Sequence, residues 1–258
     1  GEYLVNWLDK QGYLRGLIAI GHRIVYGKDH TRPELVTNTL LDELNRITAF
    51  DPDHLPGEIG LMKTLGKRCP QLPQIACFDT SFHNTISRSA SLLPIPRRFD
   101  QAGVRRYGFH GLSYSYLMEI LARKDAVAAK GKVILAHLGN GASMAAVKDG
   151  MSLDTSMGFT PAGGFPMGTT SGDLDPGVAA YIMKSESLTA DQFSDLINHQ
   201  SGLLGISEIS PDMLDLLNRE STDLRAAEAV NLFCYQVKKW VGSFAAVLGG
   251  LDILVFSG

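Results

Sequence analysis

The sequence is poor in the features that define several protein classes. It has three cysteines among 258 residues, at positions 69, 77 and 234, without the spacing of a metal site. A disulfide framework is therefore not expected, and a reducing, cytoplasmic setting fits better. The longest uncharged apolar stretch, residues 240–251, is too short to span a bilayer. A net charge of −3 gives no basic face for nucleic acid. We therefore expect neither a membrane nor a nucleic-acid partner. We also expect no signal peptide, because the start at residues 1–3 lacks a basic residue and is not followed by an apolar run.

Several catalytic motifs are also missing. The sequence has neither the Walker A pattern G-x-x-x-x-G-K-[ST] nor a helix-opening G-x-G-x-x-G. It has no G-x-S-x-G nucleophile elbow and no histidine and cysteine cluster with metal-ligand spacing. The common phosphate-loop, dinucleotide, serine-hydrolase and zinc classes are therefore not supported.

Glycine is in excess, with 27 residues where a typical usage of about 7% gives roughly 18. Short apolar runs predict strands and longer amphipathic runs predict helices. We predict strands at 16–21, 74–78, 132–137, 142–147, 152–157 and 253–256, and helices at 33–50, 56–67, 112–123, 176–184, 189–199, 211–219 and from a cap at Thr222 or Asp223 to 248. Glycine turns at 139–141 and 149–150 predict hairpins. This order predicts an α/β fold that is not a TIM barrel.

Polar residues at strand ends and glycine turns are the candidate functional groups. Arg23 can clamp a carboxylate, although a solvated loop arginine is the simpler interpretation of this residue alone. Asp79 ends a predicted strand and suits either a Mg²⁺ site or a helix N-cap. His110 lies between Gly108 and Gly111, which permit close approach of a ligand, although a lone histidine is more often structural.

Two glycine loops are candidates for phosphate binding. The first, His137-Leu-Gly-Asn-Gly-Ala-Ser143, can point main-chain N–H groups at a phosphate, although a type I′ hairpin explains it equally well. The second, Gly168-Thr-Thr-Ser-Gly-Asp173, offers hydroxyl and backbone donors or is a solvated surface loop.

Taken in order, these segments resemble the acetate kinase family, short-chain carboxylate kinases of the sugar kinase, heat-shock protein and actin superfamily. Each segment alone is weak, but nine in order are specific and extend over nearly the whole chain. The matching segments are Gly21-His-Arg-Ile-Val25, Phe78-Asp-Thr80, Arg106-Tyr-Gly-Phe-His-Gly111, His137-Leu-Gly-Asn-Gly-Ala-Ser143, Asp154-Thr-Ser-Met-Gly-Phe-Thr-Pro161, Met167-Gly-Thr169, Ser171-Gly-Asp-Leu-Asp-Pro176, Ser201-Gly-Leu-Leu-Gly-Ile-Ser207 and Val255-Phe-Ser-Gly258.

The resemblance implies a two-domain ribonuclease H-like fold, that of the actin-like ATPases. Part of an N-terminal substrate-side domain would occupy residues 1–81, and part of a C-terminal nucleotide-side and dimerisation domain residues 82–258. It implies reversible phosphoryl transfer from ATP to acetate or propionate, giving acyl phosphate and ADP with Mg²⁺, in a cytoplasmic homodimer. We expect the chain to be a fragment of such a kinase that lacks both ends.

The resemblance also implies roles for individual residues. Arg23, Asp79 and His110 would be catalytic: Arg23 would bind the substrate carboxylate, Asp79 would organise Mg²⁺ directly or through water, and His110 would hydrogen-bond the transferred phosphoryl group. Two further sets would line the acyl pocket (Val25, Phe109 and Pro161) and contact nucleotide phosphates (His137, Gly139, Asn140 and Gly141).

Three positions depart from the family pattern. Thr170 replaces an arginine that stabilises the charge of the transferred phosphoryl group. Phe50 stands at the histidine of a Leu-His-Asn-Pro segment, unless a shifted alignment recruits His54. Tyr114 replaces a second histidine. The alternative function is therefore a catalytically impaired family member that binds nucleotide or acyl phosphate in a regulatory role.

Overall fold

The computed structural model of the protein describes residues 2–258, whose contacts form two compact units. The first unit ends at Asn84 and takes in Phe109–Leu112, and the second comprises Thr85–Gly108 and Ser113–Gly258. Over the described range, no helix is long and apolar enough to cross a membrane. The domain bounds predicted from the sequence, 1–81 and 82–258, stay a prediction. The two units are defined by contacts within this chain, whereas the predicted bounds are those of domains in a longer kinase.

The first unit contains a three-stranded sheet and three helices. Strand β3 is central, β1 pairs with it in parallel and β2 in antiparallel orientation. Helix α3 packs against α2 and β1, and Leu44, Leu55 and Phe78 are fully buried. The elements are α1 (Glu2–Lys10), β1 (Ile20–Ile24), β2 (Glu34–Leu35), α2 (Asn38–Arg46), α3 (Leu55–Arg68) and β3 (Gln74–Phe78), with 3-10 turns at Thr48–Phe50 and Asp79–His83.

The predicted bounds of the first strand are wrong. Strand β1 begins at Ile20 rather than at residue 16, and the side chain of Ile18 is 88% exposed. Pairing starts where the Ile20 N–H donates to the carbonyl of Pro73 (2.9 Å), directly before β3. Residues before Ile20 therefore lie outside the ladder. The strand at 74–78 and the helix predicted at 56–67 are confirmed.

The single helix predicted at 33–50 is also wrong. The segment first forms β2, and the Val36 N–H donates to the carbonyl of Gln74 at 2.8 Å. Thr37 then caps α2, since its side-chain oxygen accepts the Leu40 N–H at 3.2 Å. Pairing to β3 competes with helix formation in this segment, and the threonine cap marks where the helix takes over.

The second unit is built on a four-stranded sheet of order β6-β5-β4-β7. Strands β4, β5 and β6 form an antiparallel meander and β7 pairs with β4 in parallel. The elements are α4 (Arg88–Ser91), α5 (Arg97–Gln101), α6 (Gly111–Lys124, of which the first two residues belong to the first unit), a 3-10 turn (Ala128–Lys130), β4 (Lys132–Leu138), β5 (Ala142–Lys148), β6 (Met151–Thr155), α7 (Pro176–Ser185), α8 (Ala190–His199), α9 (Gly202–Ser207), α10 (Met213–Arg219), α11 (Leu224–Leu248) and β7 (Ile253–Ser257). The predicted α/β class is confirmed.

Local sequence signals account for the main boundaries of this unit. Asp149 and Gly150 have φ angles of 53° and 76°, as a type I′ turn between β5 and β6 requires. Asp223 caps α11, which packs on β4, β5 and β6, and Gly249 ends it in the left-handed region at φ 68°. Of the two predicted caps for this helix, Asp223 is therefore correct.

Candidate active site

The ends of β1 and β3 bring Arg23 and Asp79 together in the first unit. The parallel register pairs Arg23 with Cys77, so Asp79 follows β3 at the edge where β1 also ends. The Nε and Nη2 groups of Arg23 donate to Oδ2 of Asp79 at 3.0 and 2.6 Å. The Asp79 side chain is 1% exposed and that of Arg23 is 56% exposed. A buried carboxylate thus holds a guanidinium that faces solvent.

Arg23 retains donors after this contact. Its Nη1 group forms no hydrogen bond with any of residues 2–258. Although burial opposes the charge, the hydrogen bond and the charge of Asp79 raise the pKa of Arg23. A planar guanidinium with free N–H groups matches the geometry of a carboxylate. Arg23 can therefore bind a second carboxylate while Asp79 fixes its orientation.

The segment that carries His110 packs directly against Asp79 in the same unit. A Cβ atom at Gly111 would lie 2.0 Å from the carbonyl oxygen of Asp79, so glycine is required at this position. His110 itself has a φ angle of 59°, a conformation that is uncommon for a residue other than glycine. The predicted close approach at Gly111 is thus made by protein backbone, and it sets His110 beside the residue after β3.

A buried histidine also contacts this segment. The Nε2 group of His83 lies 3.0 Å from the carbonyl oxygen of Phe109. Burial lowers the pKa of His83 to about 4, although the bond to Phe109 acts in the opposite sense. His83 is therefore neutral near pH 7 and donates its Nε2–H to this carbonyl.

The predicted apolar pocket residues of this unit, Val25 and Phe109, are buried, and Phe109 lies against an aromatic ring. Val25 is 4% exposed and Phe109 is 1% exposed. The ring of Tyr26 lies 6.1 Å from that of Phe109 and stacks on that of Phe50 at 5.7 Å. Phe50 therefore packs among these aromatic side chains, and its ring offers no group that could replace a histidine as a hydrogen-bond donor.

An acidic cluster lies next to Arg23. Oε1 of Glu58 accepts the Val25 N–H at 3.1 Å, and Oδ1 of Asp51 lies 2.7 Å from Nδ1 of His54. Burial raises the pKa of Glu58 to about 7, and the charge of Asp51 adds to this. The hydrogen bond with Asp51 raises the pKa of His54. Oδ2 of Asp51 and Oε2 of Glu58 are buried, and neither has a hydrogen-bond partner in the described part of the chain.

In the second unit, the predicted phosphate contacts surround the end of β4. Nδ1 of His137 lies 3.1 Å from Ser113 Oγ and 3.4 Å from Ser257 Oγ. Residues 139–141 connect β4 to β5, and none of them has a positive φ angle. The predicted hairpin is confirmed, but it is not a type I′ turn, because that turn needs two left-handed residues.

A cavity of about 380 Å³ opens beside this hairpin. Gly139 and Asn140 line it together with Gly168 and Met213. A Cβ atom at Gly168 would lie 2.7 Å from Oδ1 of Asn140, so the two glycine loops meet here. A larger cavity of about 720 Å³, against Lys239 and Trp240 of α11, is lined by Ser171 and Asp173 of the second glycine loop.

Thr170 and Pro161, also in the second unit, lie in the long loop between β6 and α7. The Thr170 hydroxyl donates to the carbonyl oxygen of Asn198 at 3.2 Å, and its own carbonyl accepts the Met167 N–H at 2.9 Å. Pro161 is half-buried. The hydroxyl of Thr170 is thus used within the protein, and the residue contributes no positive charge.

The carboxylate of Asp79 is the candidate magnesium ligand. Arg23 bonds only its Oδ2 atom, which leaves Oδ1 outside these bonds. Mg²⁺ is usually held by one or two carboxylates, with water and substrate phosphate completing the shell. No group of three or more histidine, cysteine or acidic residues in 2–258 could hold a metal. Asp79 therefore fits a shared magnesium site and does not fit a closed protein cage.

Sequence reasoning did not identify Asp51, Glu58 or His83. A sequence signal existed for the first of these, since Asp51 and His54 lie three residues apart just before α3. No sequence signal marks Glu58 or His83, because their importance depends on burial that only the tertiary packing creates. His54 was considered in the sequence analysis, as the residue that a shifted alignment would put in place of the family histidine. Tyr114, named for its family position, is fully buried and contacts Ser143.

Comparisons with known proteins show which proteins the chain is similar to. The profile of the Acetokinase family matches residues 2–258. The acetate kinase of Rhodopseudomonas palustris is 44% identical over 99% of this chain, and that of Thermoanaerobacterium thermosaccharolyticum is 42% identical over 93%. The propionate kinase of Francisella tularensis superimposes with a TM-score of 0.93 at 37% identity, and Porphyromonas gingivalis acetate kinase with 0.91 at 36%; both alignments cover the whole chain. The fold predicted from the resemblance is confirmed.

The chain is shorter than these relatives. It spans 64% of the R. palustris acetate kinase and 61% of the T. thermosaccharolyticum enzyme. It spans 67% of the F. tularensis and P. gingivalis chains.

Proposed function

The chain belongs to the acetokinase family, and from this premise we propose that the protein transfers the γ-phosphoryl group of ATP reversibly to acetate or propionate, giving an acyl phosphate and ADP. One observation carries the proposal. Arg23 is fixed by the buried carboxylate of Asp79 and still faces solvent with a free Nη1 group. A solvent-facing guanidinium with an imposed orientation is suited to a small carboxylate, and a neutral sugar has no need of it.

We propose that Arg23 binds and orients the carboxylate. Two N–H groups on one edge of the guanidinium can hold both oxygens of the acid, and Asp79 prevents rotation of that edge. Phosphoryl transfer depends mainly on positioning and charge neutralisation, because its transition state is loose. A carboxylate oxygen held in line with the phosphoryl group provides the positioning. The buried side chains of Val25 and Phe109 would limit the alkyl group to a short chain.

His110 and Asp79 are proposed to act on the transferred group. His110 would donate a hydrogen bond to a phosphoryl oxygen, and the contact of Gly111 with Asp79 would keep the two residues at a constant separation. Mg²⁺, when bound, would neutralise charge on the phosphoryl oxygens, and Asp79 would hold it directly or through water.

The nucleotide is proposed to bind in the second unit. His137 and the backbone of Gly139, Asn140 and Gly141 would contact its phosphates, beside the cavity of about 380 Å³. Backbone N–H groups in such loops are suited to anions. We also propose that the protein works as a cytoplasmic homodimer, which the family resemblance implies and which light scattering on the purified protein can test.

The experiment that tests this function traps the product. The full-length protein is incubated with ATP, Mg²⁺ and acetate, propionate or butyrate, and hydroxylamine converts acyl phosphate to a coloured hydroxamate. We expect product with acetate or propionate, and an Asp79→Asn variant with strongly reduced turnover. If no short acid gives product with the wild-type protein, the kinase proposal is wrong.

Thr170 favours a second candidate function, a catalytically impaired member that binds nucleotide or acyl phosphate as a regulator. Its hydroxyl is bonded to Asn198, and the position carries no charge. An arginine that stabilises a transferring phosphoryl group is worth about 10³ to 10⁵ in rate in other enzymes. We expect Thr170→Arg to raise turnover by at least about tenfold if this loss limits activity. An unchanged rate would remove the reason for the regulatory alternative.

A further inference from the structure

We propose that Glu58 is a positioning residue for carboxylate binding at Arg23: it holds the end of β1 through the Val25 amide and takes up a proton from solvent when the substrate carboxylate binds. This proposal rests on the proposed function, because it takes a short carboxylate as the ligand of Arg23. Glu58 lies on α3, and nothing in the motifs of the sequence points to it.

The first step concerns the backbone of β1. Arg23 and Val25 lie two residues apart, and Oε1 of Glu58 accepts the Val25 N–H at 3.1 Å. The strand ends at Ile24, so this N–H lies beyond the ladder with β3, which pairs up to Ile24 and Phe78. Glu58 therefore supplies the hydrogen bond that fixes the chain where the carboxylate-binding residue and the pocket residue are anchored.

The second step concerns charge. One guanidinium faces three carboxyl groups: Asp79 in contact, and Glu58 and Asp51 through space. A bound substrate would add a fourth. Two negative charges near one cation repel each other, so the binding of another anion is opposed by every neighbouring carboxylate that stays ionised.

The third step identifies which carboxyl group can become neutral. Oε2 of Glu58 is buried without a hydrogen-bond partner among residues 2–258. An ionised oxygen in that position is poorly solvated, and burial raises the pKa of Glu58 to about 7. The carboxyl groups of Asp51 and Asp79 are bonded to cationic side chains, Asp51 to His54 and Asp79 twice to Arg23, whereas Glu58 is bonded only to the Val25 amide.

The groups around Glu58 act in opposite directions. Asp51, from the turn before α3, favours its protonation, whereas His54 from the same turn, Arg23 and the Val25 N–H favour ionisation. Asp53 acts on His54. A carboxylate bound at Arg23 adds negative charge to this set and shifts the balance towards protonated Glu58. By linkage, protonation of Glu58 must strengthen carboxylate binding by the same factor.

The expected size follows from this reciprocity. If substrate raises the pKa of Glu58 by one unit from about 7, acetate binding weakens about fivefold between pH 6 and pH 8. Near pH 8, binding then takes up about 0.4 proton per acetate. Acetate itself is ionised throughout this range, so its own titration does not contribute.

The experiment measures acetate binding to the full-length protein by calorimetry, at both pH values and in two buffers of different ionisation enthalpy. We expect Glu58→Gln, which stays neutral and still accepts the Val25 N–H, to bind acetate at pH 8 as tightly as the wild type does at pH 6, without proton uptake. Glu58→Ala should bind weakly at both pH values, and recovery in Glu58→Gln separates the backbone contact from the charge. Glu186→Gln, on an exposed glutamate at the end of α7, is the matched control and should behave as wild type.

The outcomes separate this inference from the proposed function. If the protein binds acetate with no proton uptake, or if Glu58→Gln keeps the wild-type pH dependence, the inference is wrong; the second result would assign the dependence to His54. Absence of acetate binding also overturns it. The hydroxamate assay on the same preparation tests the kinase reaction independently. Proton-linked acetate binding without acyl phosphate would support the inference and contradict the proposed reaction.

Discussion

Gly111 offers the sharpest test of the geometry around Asp79, because its replacement by alanine must separate two backbone segments. A Cβ atom there would lie 2.0 Å from the Asp79 carbonyl oxygen and 2.8 Å from Cβ of Phe82. Ordinary contact begins at 3.4 Å, so the segments must move apart by about 1.4 Å, the difference between the two distances. Neither neighbour can yield by a side-chain rotation.

Two measurable effects follow from this displacement. Overpacking of this kind costs about 1–3 kcal/mol of stability. A shift of about 1 Å in a catalytic group can lower turnover about 100-fold, and His110 precedes the displaced residue directly. We expect Gly111→Ala to lower kcat in the hydroxamate assay by about 100-fold. The free energy of unfolding measured in urea should fall by about 1–3 kcal/mol.

The matched control is Gly60, a helical glycine of α3 in the same unit. A Cβ atom there meets nothing within 4 Å. Alanine at this position should leave kcat unchanged and stabilise the protein by about 0.5–1 kcal/mol, because glycine is unfavourable inside a helix. A Gly111→Ala protein that is folded and retains kcat within about twofold of the wild type would refute the placement of His110 beside Asp79.

Two further predictions concern Arg23 and His83. Arg23→Lys keeps the charge and loses the planar fork, so we expect KM for acetate to rise about tenfold or more while KM for ATP is unchanged; equal changes in both constants would contradict a role in carboxylate binding. His83 stays neutral in the folded protein with a pKa of about 4, below the 6.5 of the unfolded chain. Its contribution is therefore complete above pH 6.5 and is lost as the pH falls towards 4, by about 3 kcal/mol in all. Urea unfolding at several pH values measures this slope, and a His83→Gln variant with the same slope would contradict the assignment.

The parts of the fold that were predictable are those with a local cause. Thr189 and Gln192 form a capping box at the start of α8, and Asp149-Gly150 forces the turn between β5 and β6. Such signals lie within a few residues of the element they determine. By contrast, β1 starts at Ile20 because of its pairing with β3, and no residue near position 20 reveals where that partner begins.

The same distinction applies to the candidate site. Arg23 and Asp79 were named from strand ends, and their contact follows from the parallel register of β1 with β3. Their roles in substrate binding and catalysis stay predictions, as do those of His110 and the residues around Asn140. Glu58 could not be found in this way, because an acidic residue in an amphipathic helix is normally solvated. The burial of its Oε2 atom and its charge interaction with Arg23 distinguish it.

Charge is the common theme of two unusual features of the chain, one in each unit. In the first unit, Asp79, Asp51 and Glu58 outnumber the guanidinium of Arg23, and in the second unit Thr170 adds no cation. A carboxylate acceptor and a transferring phosphoryl group both add negative charge, which a kinase must neutralise at the transition state. Under the proposed function, protonation of Glu58 reduces the negative charge near the carboxylate acceptor. Mg²⁺ and His110 must neutralise the charge of the transferred phosphoryl group. The gain in turnover of Thr170→Arg therefore measures how incompletely they do so. A gain near the upper end of about 10³ to 10⁵ would mean that the phosphoryl side limits the reaction. A gain below about tenfold would mean that neutralisation there is already complete.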